Sequence, residues 1–237
     1  MNVPVTVTAA LADRPVAGRR CLEAGAGAGN ATAGLLEAGA SRVYSVSNER
    51  EDVRTTRRRA GPDDRLTVLE ADLRAIPLPD ASVELVTAHG LCNVLDPAAL
   101  SAVAGELTRV AAPGCHLVVD DYDPLPVGAA VRDLFAVENA AAVLATDHAA
   151  LTFYPAVFLC RQFAGHGWSF DRERTLLDPV PWTARHLAAH AEAATSLAAD
   201  LPDDVGDPLA ERADRIAAEI GSESVGRMYS LAFRLPA

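Results

Sequence analysis

Three glycines at alternate positions, Gly25, Gly27 and Gly29, follow the lead-in Arg19-Arg20-Cys21-Leu22 and one acid, Glu23. Glycine lets a chain turn tightly after a strand and bring backbone N–H groups up to a ligand at the start of the next helix. A nucleotide-type cofactor is the natural occupant. The dinucleotide fingerprint needs G-x-G-x-x-G, and its last glycine falls on Asn30 when counted from Gly25 and on Thr32 when counted from Gly27. That spacing rejects a nicotinamide dinucleotide. All 21 basic residues are arginine, which excludes P-loop chemistry, Schiff bases and lysine general bases.

Other chemistry-bearing residues are scattered. His89 has a side chain that titrates near neutrality and suits a general base, with packing beside a cofactor ring as the alternative. Asp120 and Asp121 read first as turn residues, Asp121 and Tyr122 also as contacts for a substrate, and no full set of oxygen ligands accompanies them, so no metal site is expected. His186 and His190 stand four apart and share a helix face, but no third ligand motif is near; they read as surface or lid residues. Tyr154, with Phe153, Trp168, Trp182 and His148, falls in the C-terminal half, where core packing competes with a pocket role.

These residues need a scaffold, and the pattern supplies one. Strands are expected up to Leu22, over Arg42–Val46, Leu66–Glu70 and Val83–Ala88, and from Cys115 to Asp120 after a Pro113-Gly114 break. Helices are expected over Ala31–Ala38, Asn48–Arg59 and Pro97–Val110. Alternation at this spacing implies a mostly parallel sheet covered by helices on both faces. Longer alanine-rich helices follow, roughly 127–145 and 154–164, then strands near 168–176 and 228–235. Between those strands a mainly helical insertion of about 183–226 is interrupted around Pro202–Pro208. In an open sheet of this kind the ligand crevice lies beyond the carboxyl ends of the strands, which puts His89 and Asp120–Tyr122 on its border.

With 237 residues, half of them apolar, the chain can bury a real core as one domain, 1–237. Cys21, Cys92, Cys115 and Cys160 form no CxxC pair and read as reduced thiols. A net charge of −11 repels phosphate backbones, so nucleic acid is not an expected partner. Met1-Asn2-Val3-Pro4 has no basic leader, and no apolar run reaches the roughly 18 residues of a membrane span. The expectation is a cytoplasmic protein away from the membrane, with a homodimer contact or a lid as alternative uses of the insertion.

The run Leu22-Glu23-Ala24-Gly25-Ala26-Gly27-Ala28-Gly29 resembles motif I of the class I S-adenosylmethionine-dependent methyltransferases, where an acid stands two residues before the first glycine. Glu70-Ala71-Asp72-Leu73 through the Pro77-Leu78-Pro79-Asp80 turn, and Glu106–Val110 followed by Pro113-Gly114, are similar to later segments of the same family. The resemblance covers residues 19–123 and is nearest to the small-molecule branch that includes quinone-biosynthesis C-methyltransferases; the C-terminal half matches in outline.

It implies a Rossmann-like α/β fold with a seven-stranded, mostly parallel sheet and a helical insertion before the last strand. Residues 1–123 would be the cofactor half and 124–237 the acceptor side. By the same resemblance, Glu23 would hold the cofactor's amino group, and the turn from Ala24 through Gly25, Gly27 and Gly29 would face its carboxylate and ribose. Asp72 would accept from the adenine amino group and Leu73 would offer a backbone N–H, with His89 near the ring. Ser47 stands where the family places a ribose-binding acid. Asn48 or Glu49 is expected to substitute, Glu49 the better because a carboxylate accepts two hydroxyl hydrogen bonds; capping the helix dipole is the competing role for Glu49. The implied activity is methyl transfer to a small-molecule acceptor, leaving S-adenosylhomocysteine. A cofactor binder without transfer, or another reaction of the same cofactor, stays open.

Overall fold

The computed structural model describes residues 3–237. Met1 and Asn2, on which the N-terminal reading partly rests, lie outside the described residues. A short helix α1 (Val5–Leu11) leads into β1 (Arg20–Ala24), α2 (Asn30–Glu37), β2 (Arg42–Ser47), α3 (Arg50–Ala60) and β3 (Leu66–Glu70). The chain then returns through β4 (Val83–His89), α4 (Pro97–Val110) and β5 (Ala111–Tyr122). Strand order is β3-β2-β1-β4-β5-β9-β6, with β9 (Met228–Arg234) antiparallel to both β5 and β6 (Ser169–Leu177) and the remaining pairings parallel. This is the seven-stranded, mostly parallel sheet expected. Because β1 pairs with β2 on one side and β4 on the other, the order reverses there, and a crevice opens beyond the strand ends.

Parallel strands covered on both faces read as apolar runs. Leu22, Val86, Leu117, Leu231 and Phe233 accordingly have no exposed surface. A second core lies between α5 (Val131–Thr146), α7 (Ala184–Ala198) and α8 (Asp203–Ile220), filled by Leu134, Phe135, Trp182 and Leu187. This is the helical insertion packed against α5. Helix α6 (Ala156–Gly165) instead buries Leu159 and Phe163 in the core of the sheet.

Several boundaries differ from expectation. β5 starts at Ala111 and runs through Pro113 and Gly114, because Ala111 pairs with Val83 and Gly114 N–H donates to Leu235 O at 3.0 Å. At its other end β5 continues beyond Asp120 to Tyr122, paired with β9, so Asp120 and Asp121 are strand residues and not a turn. α8 runs through Gly206 and Pro208 where an interruption is expected. Gly206 is needed there, since a Cβ would collide with the Ala198 carbonyl at the end of α7. α1 and the two-residue ladder of β7 (Pro181–Trp182) with β8 (Glu223–Ser224) carry no pattern long enough to be read from sequence. Among the described residues no helix is long and apolar enough to cross a membrane.

Candidate active site

The glycine turn is built by backbone that only glycine adopts easily. Gly25, Gly27 and Gly29 have φ of +77°, +48° and +71°. The N–H groups of Gly25 and Ala26 donate to Val46 O at 2.9 and 3.0 Å, which fastens the turn to β2. A Cβ on Gly25 would stand 2.9 Å from Leu91 Cδ1, and one on Gly29 would stand 3.0 Å from Thr56 Oγ1. Gly27 differs: its nearest atom would be Gly25 O at 4.0 Å, so its backbone faces open space.

That space is a cleft of about 550 Å³. Gly25 and Gly27 line it on the β1 side, Asp72 and Leu73 beyond β3, and His89 beyond β4. Leu91, Val94, Leu95 and Val103 add an apolar wall. Ser47, Asn48 and Glu49 also line it, together with Asp52, which sequence reasoning missed. Ser47 Oγ donates to Asp52 Oδ2 at 3.0 Å and accepts from Glu49 N at 3.1 Å. An acid in the first turn of α3 thus reaches back to the end of β2, where Ser47 stands in place of an acid. Its position three residues after the helix's N-cap was the available signal. Arg74 is a second omission: it lines the cleft and clamps Asp72 with hydrogen bonds of 3.0 and 2.7 Å.

Glu23 lies beneath the turn and does not line the cleft. It is 2% exposed, and its Oε2 accepts from Thr32 N at 2.9 Å, Ser45 Oγ at 2.9 Å and the Thr32 hydroxyl. Burial pushes its carboxyl up to about 7, against those hydrogen bonds and the nearby His89. Ala24 is likewise buried at the end of β1.

His89 is held through Nδ1 by Asp120 Oδ2 at 2.9 Å. Burial disfavours its imidazolium, but the hydrogen bond and charge of Asp120 outweigh that and raise its pKa above the ordinary value. Asp121, expected as a substrate contact, has its carboxylate taken by the backbone: it accepts from Asn93 N at 3.0 Å and from Tyr122 N at 2.9 Å. Burial raises it to about 7. Tyr154, also expected at the substrate, is a core residue whose hydroxyl donates to Leu95 O at 2.9 Å and whose ring stacks on Phe158. Neither lines a cavity beside the cleft.

Tyr122 does. It lines a second cavity, about 300 Å³, with Asn93, Phe153, Trp182, His186 and His190. Gly90 lines both cavities, so they adjoin. The two histidines expected at a surface or lid thus face a pocket, both lying in the first two turns of α7, which packs against α5. His190 Nδ1 lies 2.7 Å from Glu138 Oε2 of α5, whereas His186 Nδ1 accepts from Thr183 N and completes the cap of α7. Trp168, by contrast, is buried in the core, its Nε1 donating to Thr108 Oγ1 at 2.8 Å. Among the described residues no group of three or more His, Cys, Asp or Glu is placed to hold a metal ion.

Comparison with known proteins agrees with this architecture. Residues 21–114 match the methyltransferase domain family. A demethylmenaquinone methyltransferase of Clavibacter sepedonicus is 37% identical over 124 residues, 52% of this chain and 48% of that one, so the chain spans about half of its relative's length. Among solved structures, a putative methyltransferase from Bacillus halodurans superposes with a TM-score of 0.66 at 12% identity, covering 98% of this chain and 99% of that one. The [4+2]-cyclase SpnF gives a TM-score of 0.66 at 18% identity, covering 98% and 81%. A glycine turn opening on an acid-lined cleft and the sheet order that creates it thus accompany a match of residues 21–114 to the methyltransferase domain family and a fold like that of solved methyltransferases.

Proposed function

We propose that this protein transfers a methyl group from S-adenosylmethionine to a small, ring-bearing acceptor. The observation that carries the reading is the pair of adjoining cavities, an acid-lined cleft at the glycine turn and an aromatic cavity beside it, joined at Gly90. The cleft suits the cofactor. Gly27 leaves its backbone open where a side chain would intrude, the acids Glu49, Asp52 and Asp72 match hydroxyl and amino groups, and Leu73, Leu91 and Leu95 match a purine face.

When bound, the cofactor supplies an electrophilic methyl on a sulfonium. The chain's own part is to bind and orient. Glu49 and Asp52 accept from the ribose hydroxyls, with Asp52 positioned by Ser47; Asp72, fixed by Arg74, and Leu73 hold the adenine. Glu23 braces the turn from beneath through Thr32 and Ser45. His89, pinned by Asp120, borders the cleft next to Gly90, where the two cavities meet. Most of the rate would then come from alignment and exclusion of water.

The name of the Clavibacter relative puts ring-bearing quinols among the acceptors to screen. A cytoplasmic, single-domain protein acting on a small molecule, away from membranes and nucleic acid, fits the negative charge and the cavity size. Ser47 in the family's acid position favours one rival, a cofactor binder without transfer.

Calorimetric titration with S-adenosylmethionine and S-adenosylhomocysteine tests the reading, and absence of binding to both refutes it. Asp52→Asn and Glu49→Gln should each weaken binding, by about 1.5–3 kcal/mol per charged hydrogen bond lost. A tritiated-methyl screen over phenols, quinols and amines then separates enzyme from binder.

A further inference from the structure

Glu138 is 5% exposed on α5, among Leu134, Phe135 and Ala141. A buried acid needs a partner, and Glu138 finds one in His190 of α7 at 2.7 Å. Packing alone does not call for this pair, because well-fitted apolar side chains would join two helices at least as well. Its position suggests another use. His190 lines the aromatic cavity, with its ring edge-on to Phe135 at 4.6 Å and near Trp182 at 6.2 Å.

With Nδ1 committed to the carboxylate, the imidazole is fixed in orientation, and Nε2 has no hydrogen-bond partner among the described residues. The other titratable residues on this cavity are Tyr122 from β5 and His186 from α7. His186 Nδ1 is occupied by the helix cap. No arginine lines the cavity, so nothing there selects an anionic acceptor. Tyr122 and Trp182 stand 5.5 Å apart and Tyr122 and Phe153 6.5 Å, giving aromatic faces suited to a flat ring. Its volume of about 300 Å³ admits only a small one.

We propose that His190, oriented by Glu138, is the general base that takes the proton from a phenol-class hydroxyl of a flat aromatic acceptor held against the cluster of Tyr122, Phe153 and Trp182. In that step the acceptor O–H bond breaks and its electron pair stays on oxygen. The proton bonds to Nε2 of His190, and the Glu138 carboxylate stabilises the resulting imidazolium. The base is thereby distinct from His89, which serves the cofactor cleft. What the phenolate next attacks rests on the methyl-transfer reading; the proton transfer itself does not.

The test uses 4-nitrophenol, a small flat phenol whose phenolate is coloured and whose neutral form is not. It is titrated into the wild type, Glu138→Gln and His190→Gln at about pH 6, with and without S-adenosylhomocysteine, following both the phenolate band and quenching of tryptophan fluorescence. The wild type should quench and gain the phenolate band. His190→Gln should bind with the band lost, and Glu138→Gln, which keeps the side chain's shape, should bind with the band reduced. Absence of quenching in the wild type, binding as the neutral phenol only, or an undiminished band in the variants overturns the proposal. Calorimetry with S-adenosylhomocysteine on the same three proteins runs in parallel. Equal affinities show intact folds, whereas no binding by the wild type refutes the cofactor reading and leaves the phenolate result to be judged on its own.

Discussion

Replacing Glu23 by glutamine separates what a buried carboxylate costs the fold from what its hydrogen bonds contribute. Glu23 is 2% exposed, and burial raises its carboxyl from 4.5 to about 7 in the folded protein. The folded state therefore holds the proton more tightly than the unfolded chain. The resulting stabilisation is complete below about pH 4.5 and is lost as the pH rises to about 7. At 1.36 kcal/mol per pH unit, the loss comes to about 3 kcal/mol. Glutamine is neutral at every pH and avoids it, while its amide oxygen can still accept from Thr32 N and Ser45 Oγ. Any mispairing of the new amide is independent of pH and cancels on comparison. Urea unfolding of both proteins at about pH 4.5 and about pH 8 should show the variant gaining about 3 kcal/mol on the wild type between the two. An unchanged difference would refute the reasoning and mean that Glu23 stays ionised in the fold without penalty.

Asp120→Asn removes the negative charge that holds His89 up and leaves only a neutral acceptor, so the His89 midpoint in an NMR titration should fall. Gly27→Ala should cost about 1–2 kcal/mol in chemical denaturation from its positive φ alone, since its Cβ meets open space. Gly25→Ala should cost more, because Leu91 must also move. Asp96 accepts from Ala98 N and Ala99 N at 2.8 Å each, ahead of Pro97 at the first position of α4. Asp96→Ala should therefore lower stability by about 1 kcal/mol in the same assay.

Much of the fold is legible locally. Strands buried on both faces are apolar runs, and α4 spans Pro97–Val110 as read because Asp96 and Pro97 mark its start and Leu100, Val103 and Leu107 its inner face. The start of β5 was not legible, because Ala111 and Gly114 become strand only by pairing with β4 and the C-terminal segment. Asp121 and Tyr154 illustrate the same limit at the site. Their types suit a substrate, but neighbours distant in sequence consume their polar atoms.

The sequence by itself determined the glycine turn with which the site begins, since Gly25, Gly27 and Gly29 are required wherever that backbone bends to positive φ, and it determined the strand–helix alternation around the turn. Only the tertiary structure decided which side chains surround it. Asp52 reaches the cleft because α3 begins directly after β2, so its first turn lies back over Ser47. Glu138 and His190, 52 positions apart, meet because α5 and α7 bury apolar faces against one another. Backbone conformation is a local property that one residue type can encode, whereas the meeting of two side chains depends on the packing of whole elements.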